Sequence, residues 1–399
     1  MSTALLILGA KRTDGVAAPL LVTGDRIGGD PSAADRLDAT GLHLAPGIVD
    51  LGAFAVDLQA CLFGGITRVA LMPDGSPPLD GPGLIQRAAI AAKPHLWVHP
   101  IAAATQGLAG TALAEIGLMK GAGARAVATG RRWIADSRLM QSVLSYAAAL
   151  DLTVISHAED DGLVAGAVAT AGETATRLGL PAAPACAEAI AVARDIALAA
   201  ETGARLHLRQ VTTAAGFDLV RRAKDRGVSV TCGITPAHLL LSDTAIGDFR
   251  TFAHLSPPLR DEADRHAALE ALSDGTIDVL HSGHDPRGPE DKRLPFADSA
   301  PGMAAAGHLL ALGLGLVRDE RIGMARLFDL LSRNPARLLG IDAGHLGDGA
   351  PADVILFDPD APWQISSDRM PGQAGNTPFD GLPVQGRVRS VMKGGRWLS

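Results

Sequence analysis

The sequence predicts an α/β chain: a (β/α)8 barrel over residues 48–345, joined to a small β-sandwich assembled from residues 1–47 and 346–399. Two patterns carry the prediction. The middle of the chain alternates short apolar, β-prone runs with Ala/Leu/Arg-rich stretches of helical character, and the strand-like runs number eight. Both ends consist instead of short apolar runs broken by Gly, Asp and Pro, which is the punctuation of small β-elements.

Taken in order, Ala4–Leu8 and Leu20–Thr23 read as strands separated by turns at Gly24-Asp25 and Gly28-Gly29-Asp30. The opening apolar run lacks a preceding basic region and a small-residue cleavage site, so it reads as a strand and not as a signal peptide. The barrel strands are expected at Ile48–Leu51, Ile66–Met72, Leu96–Ile101, Ala124–Ala128, Leu152–Ser156, Arg205–Val211, Val228–Cys232 and Ile277–His281. Helices are expected at Pro82–Lys93, Ser137–Leu150, Ala185–Thr202, Thr213–Arg226 and Arg260–Leu272, with Asp136-Ser137 and Thr212-Thr213 supplying N-cap side chains. Asp353–Phe357, Gln364–Ser366 and Gly386–Met392 complete the β-rich end. A doubly wound sheet is the competing architecture, but it normally places a Gly-rich phosphate loop after its first strand. Here Gly64-Gly65 precedes a strand instead.

Composition narrows the class. With 399 residues, 47% hydrophobic and 20% charged, the chain has the make-up of an ordinary globular protein. A net charge of −7 argues against nucleic acid or an anionic membrane as partner. Cys61, Cys186 and Cys232 are too widely spaced for a zinc motif or a disulfide framework, which fits a reducing compartment. Apolar runs are interrupted before a membrane span is complete, so a cytoplasmic protein is expected.

The first barrel strand ends in Asp50-Leu51-Gly52-Ala53-Phe54. In a parallel barrel that edge carries the chemistry, yet glycine, alanine and phenylalanine can neither hold a metal nor move a proton.

Several blocks, in order along nearly the whole chain, give the context for that gap. They are Leu44-Ala45-Pro46-Gly47-Ile48-Val49-Asp50, Ile155-Ser156-His157-Ala158-Glu159-Asp160, Ser256-Pro257-Pro258-Leu259-Arg260 and Asp274-Gly275-Thr276-Ile277-Asp278, followed by Lys292 to Phe296, Asn334-Pro335-Ala336-Arg337, Gly349-Ala350-Pro351-Ala352-Asp353 and Asn376-Thr377-Pro378-Phe379 with Gly381. Together they resemble the dihydroorotase branch of the amidohydrolase superfamily. The resemblance implies a barrel in which one or two divalent metals generate hydroxide that opens a ring amide, while an aspartate on the last strand handles the proton.

Position by position, the resemblance also implies a loss of ligands. The family's His-x-His falls on Gly52 and Phe54, and no arginine lies between Asp50 and Arg68, where the family carries a substrate-binding one. The bridging carboxylate falls on Thr129 and Gly130, next to Arg131 and Arg132. His157 is kept. The next histidine is Gln210, with His207 three residues earlier and expected on the other face. The catalytic aspartate falls on Gly283, with Asp285 displaced by two. Met72-Pro73-Asp74 and Ser256 stand where asparagines are usual. One imidazole without a supporting carboxylate is too little for a catalytic zinc.

The expectation drawn from this pattern is a non-catalytic dihydroorotase-like subunit of pyrimidine biosynthesis without a cofactor. Its implied partners are the catalytic chains of aspartate carbamoyltransferase, within an oligomer. The alternative is a metal-dependent cyclic amidohydrolase whose zinc site is rebuilt from residues such as His281, His284 and Asp285; a third reading is a barrel that binds a pyrimidine intermediate without turnover. His157 is expected as a hydrogen-bonded remnant in the barrel core, with Phe54 filling the mouth beside it. Glu159 and Asp160 are expected to cap a helix or meet solvent, Lys292 and Arg293 to lie in a solvated loop, and Arg131 and Arg132 to be surface charge.

Overall fold

A computed structural model describes residues 4–398; residues 1–3 and 399 of the expected β-sandwich lie outside the described residues. The eight expected strands all form, at Ile48–Ala53, Ile66–Leu71, Trp97–Pro100 with Ala102–Ala103, Val127–Ala128, Val154–Ser156, Leu206–Leu208, Val230–Ile234 and Val279–Leu280. Every neighbouring pair in the ladder is parallel. The barrel closes between its last and first strands. Phe54 N–H donates to the His284 carbonyl at 2.8 Å, and Ser282 donates to Asp50 from its backbone N–H at 3.0 Å and from its hydroxyl at 2.5 Å. Those donors are what make a buried carboxylate tolerable at Asp50.

The helices follow from caps and apolar spacing. Asp136 accepts from Arg138 N–H and Leu139 N–H and starts Ser137–Ala149, whose Met140, Val143, Leu144 and Ala147 face the barrel. Thr213 accepts from Gly216 N–H and starts Ala214–Asp225. Cys186–Thr202 buries Ala187, Ala191, Val192, Ile196 and Ala199 and stops at Gly203 in the left-handed region. The abundance of Ala and Val in these contacts lets helices sit close to the strands, which is how a chain with few aromatics builds one continuous core.

Both chain ends form the β-part. His43–Pro46 pairs antiparallel with Val354–Phe357 in a five-stranded sheet, beside a four-stranded sheet that holds Ala4–Leu8 and Leu20–Thr23. Ile7, Leu20, Val22, Leu44, Val354, Leu356 and Met392 fill the space within this part. Its main hairpin, Val354–Gln364 with Pro383–Lys393, is longer than the sequence suggests, because the register shift between Asp358 and Pro362 carries the strand past Pro359. No described helix is long and apolar enough to cross a membrane.

Candidate functional site

At the C-terminal ends of the strands, Phe54, Arg131, Arg209, Gln210, His238 and Asp285 line a narrow cleft, with Thr235, Ser256, Gly283 and Met303 completing its wall. Its free volume is ≈ 30 Å³, room for about two waters.

Beneath it, the place of the first missing imidazole is full. A Cβ on Gly52 would lie 2.1 Å from His281 Nδ1 and 2.7 Å from its Cγ, so the His281 ring occupies the space a side chain there would need. His281 Nε2 bonds the Arg209 carbonyl at 3.0 Å, and a carbonyl can only accept, so the proton sits on Nε2. Burial, then the nearby Arg209 guanidinium, lowers His281 to about 3.

His157 keeps its place and is locked there. Its N–H donates to Thr129 Oγ1 at 3.0 Å. Arg209 Nη2 donates to its Nδ1 at 2.9 Å, and because guanidinium has no acceptor, the ring proton is on Nε2, 3.5 Å from Glu159 Oε2. Glu159 in turn accepts from Arg260 Nη2 at 2.6 Å. Burial pushes the Glu159 carboxyl up, but the His157 hydrogen bond and the Arg260 guanidinium outweigh it and hold the group down at about 2. Two expectations are corrected here. Glu159 is neither a cap nor solvated, and His157 does have a supporting carboxylate. Asp160 does cap the helix Asp161–Val164, accepting from Gly162 N–H and Leu163 N–H.

Arg131 is part of the cleft wall rather than surface charge. Its guanidinium lies 3.8 Å from the centre of the Phe54 ring and its Nη1 donates to Asp285 Oδ2 at 2.5 Å. Arg287 Nη2 reaches the same oxygen at 2.9 Å. The Arg209 guanidinium lies 4.8 Å from the Phe54 ring centre, so Phe54 fills the mouth next to Arg209 and is linked to His157 through it. Arg132, by contrast, is exposed and pairs with Asp161 at 3.3 Å. Two of the positions without ligands are left-handed: Gly130 at φ +83° and Gly283 at φ +62°. A Cβ would meet Asp74 Oδ1 at 2.8 Å in the first case and Thr235 Cγ2 at 2.8 Å in the second. Neither position admits an aspartate without moving the wall.

Gln210 Nε2 donates to His238 Nδ1 at 2.7 Å, and His238 Nε2 donates to the Pro257 carbonyl at 3.0 Å. Burial lowers His238 to about 4, leaving it neutral at pH 7. His207 lies deeper, its Nδ1 2.9 Å from Thr231 Oγ1 and its Nε2 bordering Gly233 beside His281. The interior thus holds His207 beneath the cleft instead of turning it away. His284 accepts Ala305 N–H and Ala306 N–H on Nδ1, at 3.1 and 3.3 Å. His254 stacks on Phe296 away from the cleft. Lys292 is buried and donates to the carbonyls of Thr251, His254 and Ala300, which corrects its expected place in a solvated loop.

Of the three residues considered for a rebuilt centre, only Asp285 lines the cleft; His281 lies below it and His284 serves the backbone. Among the described residues no three His, Cys, Asp or Glu side chains come together in a way that could hold a metal ion. The one retained ligand position, His157, has its Nδ1 lone pair committed to Arg209. The donor set does not fit the family's catalytic metal. Sequence reasoning missed Arg209 and Arg260, the cations that organise the site. Strand parity hid Arg209, because it groups Arg209 with His207 on the face away from Gln210, whereas both Arg209 and Gln210 line the cleft just past the strand Leu206–Leu208.

The chain belongs to the amidohydrolase family, whose profile matches residues 62–398. Within the family its relatives are specific. The dihydroorotase of Desulforapulum autotrophicum is 39% identical over 389 residues, spanning 92% of this chain and 91% of that protein. A dihydroorotase-like protein of Pseudomonas aeruginosa is 36% identical over 380 residues, 91% of this chain and 89% of that one. The L-hydantoinase (dihydropyrimidinase) of Arthrobacter aurescens has the same fold, with a TM-score of 0.88 at 23% identity over 100% of this chain and 96% of its own.

These relatives correct the expectation of a non-catalytic assembly subunit. Proteins 36–39% identical along about nine-tenths of the chain are named as the enzyme. The missing ligands mark a mouth built differently, and it still gathers buried acids, bases and cations at the strand ends.

Proposed function

We propose that the chain opens, and in reverse closes, a cyclic amide of the pyrimidine pathway at the barrel mouth. The observation that supports this most is the chain-long likeness to relatives named dihydroorotase. The cleft supplies groups for such a reaction without calling on a metal. Both guanidinium bonds to Asp285 fall on Oδ2, so Oδ1 is the oxygen left to take a proton from an attacking water and return it to the leaving ring nitrogen. Water oxygen bonds to the ring carbonyl carbon, the C–N bond breaks, and the proton ends on nitrogen. Arg131, with 32% of its side chain exposed, sits beside Asp285 and faces the charge that develops on the carbonyl oxygen. Gln210 and His238 hold the opposite wall.

The test is dihydroorotate hydrolysis and carbamoyl-aspartate cyclisation by the purified chain, with Asp285→Asn alongside. The reading expects turnover that the variant lowers by about a hundredfold or more. Absence of turnover in both directions overturns it. For partners, the resemblance alone supports an oligomer with aspartate carbamoyltransferase chains, and co-purification of the two decides it.

A further inference from the structure

We propose that Arg194 and Asp195, outside the cleft, are positioning residues: they hold the loop after the fourth strand so that the Arg131 guanidinium stays over Phe54 and beside Asp285. The loop runs from the strand end at Ala128 to the helix start at Ser137. It depends on an outside hold. Among the described residues, no backbone N–H from Gly130 to Asp136 donates to a backbone carbonyl, so side chains of other elements supply the pairing that a partly buried segment requires. At one end, Asp74 Oδ1 accepts from Arg131 N–H at 2.8 Å. The middle is held from the helix Cys186–Thr202. Arg194 Nη1 donates to the Ile134 carbonyl at 2.6 Å and to the Ala135 carbonyl at 3.2 Å, and its guanidinium lies 3.6 Å from the centre of the Trp133 ring.

Asp195 joins this loop to the next strand. Its Oδ1 accepts from Trp133 Nε1 at 3.3 Å and from Arg194 Nε and Nη2 at 2.9 and 2.6 Å, and its Oδ2 accepts from Ser156 Oγ at 2.6 Å. Asp195 is fully buried, and these donors are what make a carboxylate tolerable there. Ser156 directly precedes His157. One buried carboxylate therefore sets the spacing between the strand that leads into His157 and the loop that carries Arg131. Neither Arg194 nor Asp195 lines the cleft, so the pair acts on chemistry only through the residues it holds. A displacement of about 1 Å in a group aimed at a reacting centre costs up to about a hundredfold in rate.

This inference rests on the cyclic-amide reading for what Arg131 does, not for how it is held. Fluorine NMR of the full chain grown with 4-fluorophenylalanine reads the position without turnover; of the nine phenylalanines, the Phe54 line is assigned with Phe54→Leu. Arg131→Gln, which removes the cation from the ring, should shift that line, and Arg194→Gln should shift it in the same direction. If Arg194→Gln does not fold, Arg194→Lys, which loses the planar fork spanning the carbonyls and Asp195, should shift it likewise. A Phe54 line that moves in Arg131→Gln but stays in the Arg194 variant overturns the positioning role, as does one that Arg131→Gln leaves in place. Turnover gives a second readout. Arg194→Gln should lower kcat about tenfold or more with KM within about twofold, and should cost nothing further in an Arg131→Gln background. The same loss in both backgrounds marks a merely structural role and overturns the inference. No wild-type turnover, with the Phe54 line moving as expected, leaves the positioning role standing and removes the catalytic reading; turnover with that line fixed does the reverse.

Discussion

Replacing Glu159 by Gln tests the charge relay beneath the mouth. The carboxylate is 4% exposed, accepts from Arg260 Nη2 at 2.6 Å and faces His157 Nε2 at 3.5 Å. Its pKa is 4.5 in an ordinary setting and about 2 in the fold. The folded value is the lower one, so the group stabilises the fold fully above its unfolded pKa and loses that effect as pH falls from about 4.5 through about 2. The difference corresponds to about 3 kcal/mol at pH 7, close to the ~3–5 kcal/mol expected when one partner of a buried ion pair is removed. Urea unfolding of wild type and Glu159→Gln should therefore show a gap of about 3 kcal/mol at pH 7, less than half of which survives at pH 3. A gap that is the same at both pH values, or below ~1 kcal/mol at pH 7, would refute the assignment of Glu159 as the ionised partner of Arg260.

Two further outcomes follow from packing and burial. Gly52→Ala places a Cβ 2.1 Å from His281 Nδ1 and should cost about 1–3 kcal/mol in urea unfolding; an unchanged midpoint would mean that His281 does not hold that space. Cys61 and Cys232 are buried and burial raises both thiols, whereas Cys186 is exposed. A chromogenic disulfide reagent should thus titrate one thiol of the native chain rapidly and the other two only on unfolding.

The barrel was largely legible because its signals are local. Apolar β-prone runs mark the strands, and Asp136 and Thr213 act as the caps their positions suggest. The site was legible as a pattern of absences and illegible as a construction. Gly52 read as a lost histidine, but its bareness is required by a ring from residue 281, which no local pattern links to it. Glu159 read as an exposed acid because its partner, Arg260, lies 101 residues away. Asp285 could be placed near the mouth, but not its bond to Arg131, which lies 154 residues away in the sequence. In each case a long-range pairing reverses the reading a short window gives. The same limit explains the functional correction: counting missing ligands measures what a mouth has lost, while the cations that replaced them are visible only once the strands are closed.

The most direct test of the account is turnover by chain whose metal content has been measured. Protein stripped with chelator and carrying less than stoichiometric zinc, nickel, iron and manganese is assayed for dihydroorotate hydrolysis, beside Asp285→Asn. Turnover should not scale with metal content and should be lost in the variant. No turnover with or without metal, or turnover strictly proportional to bound metal, would contradict it.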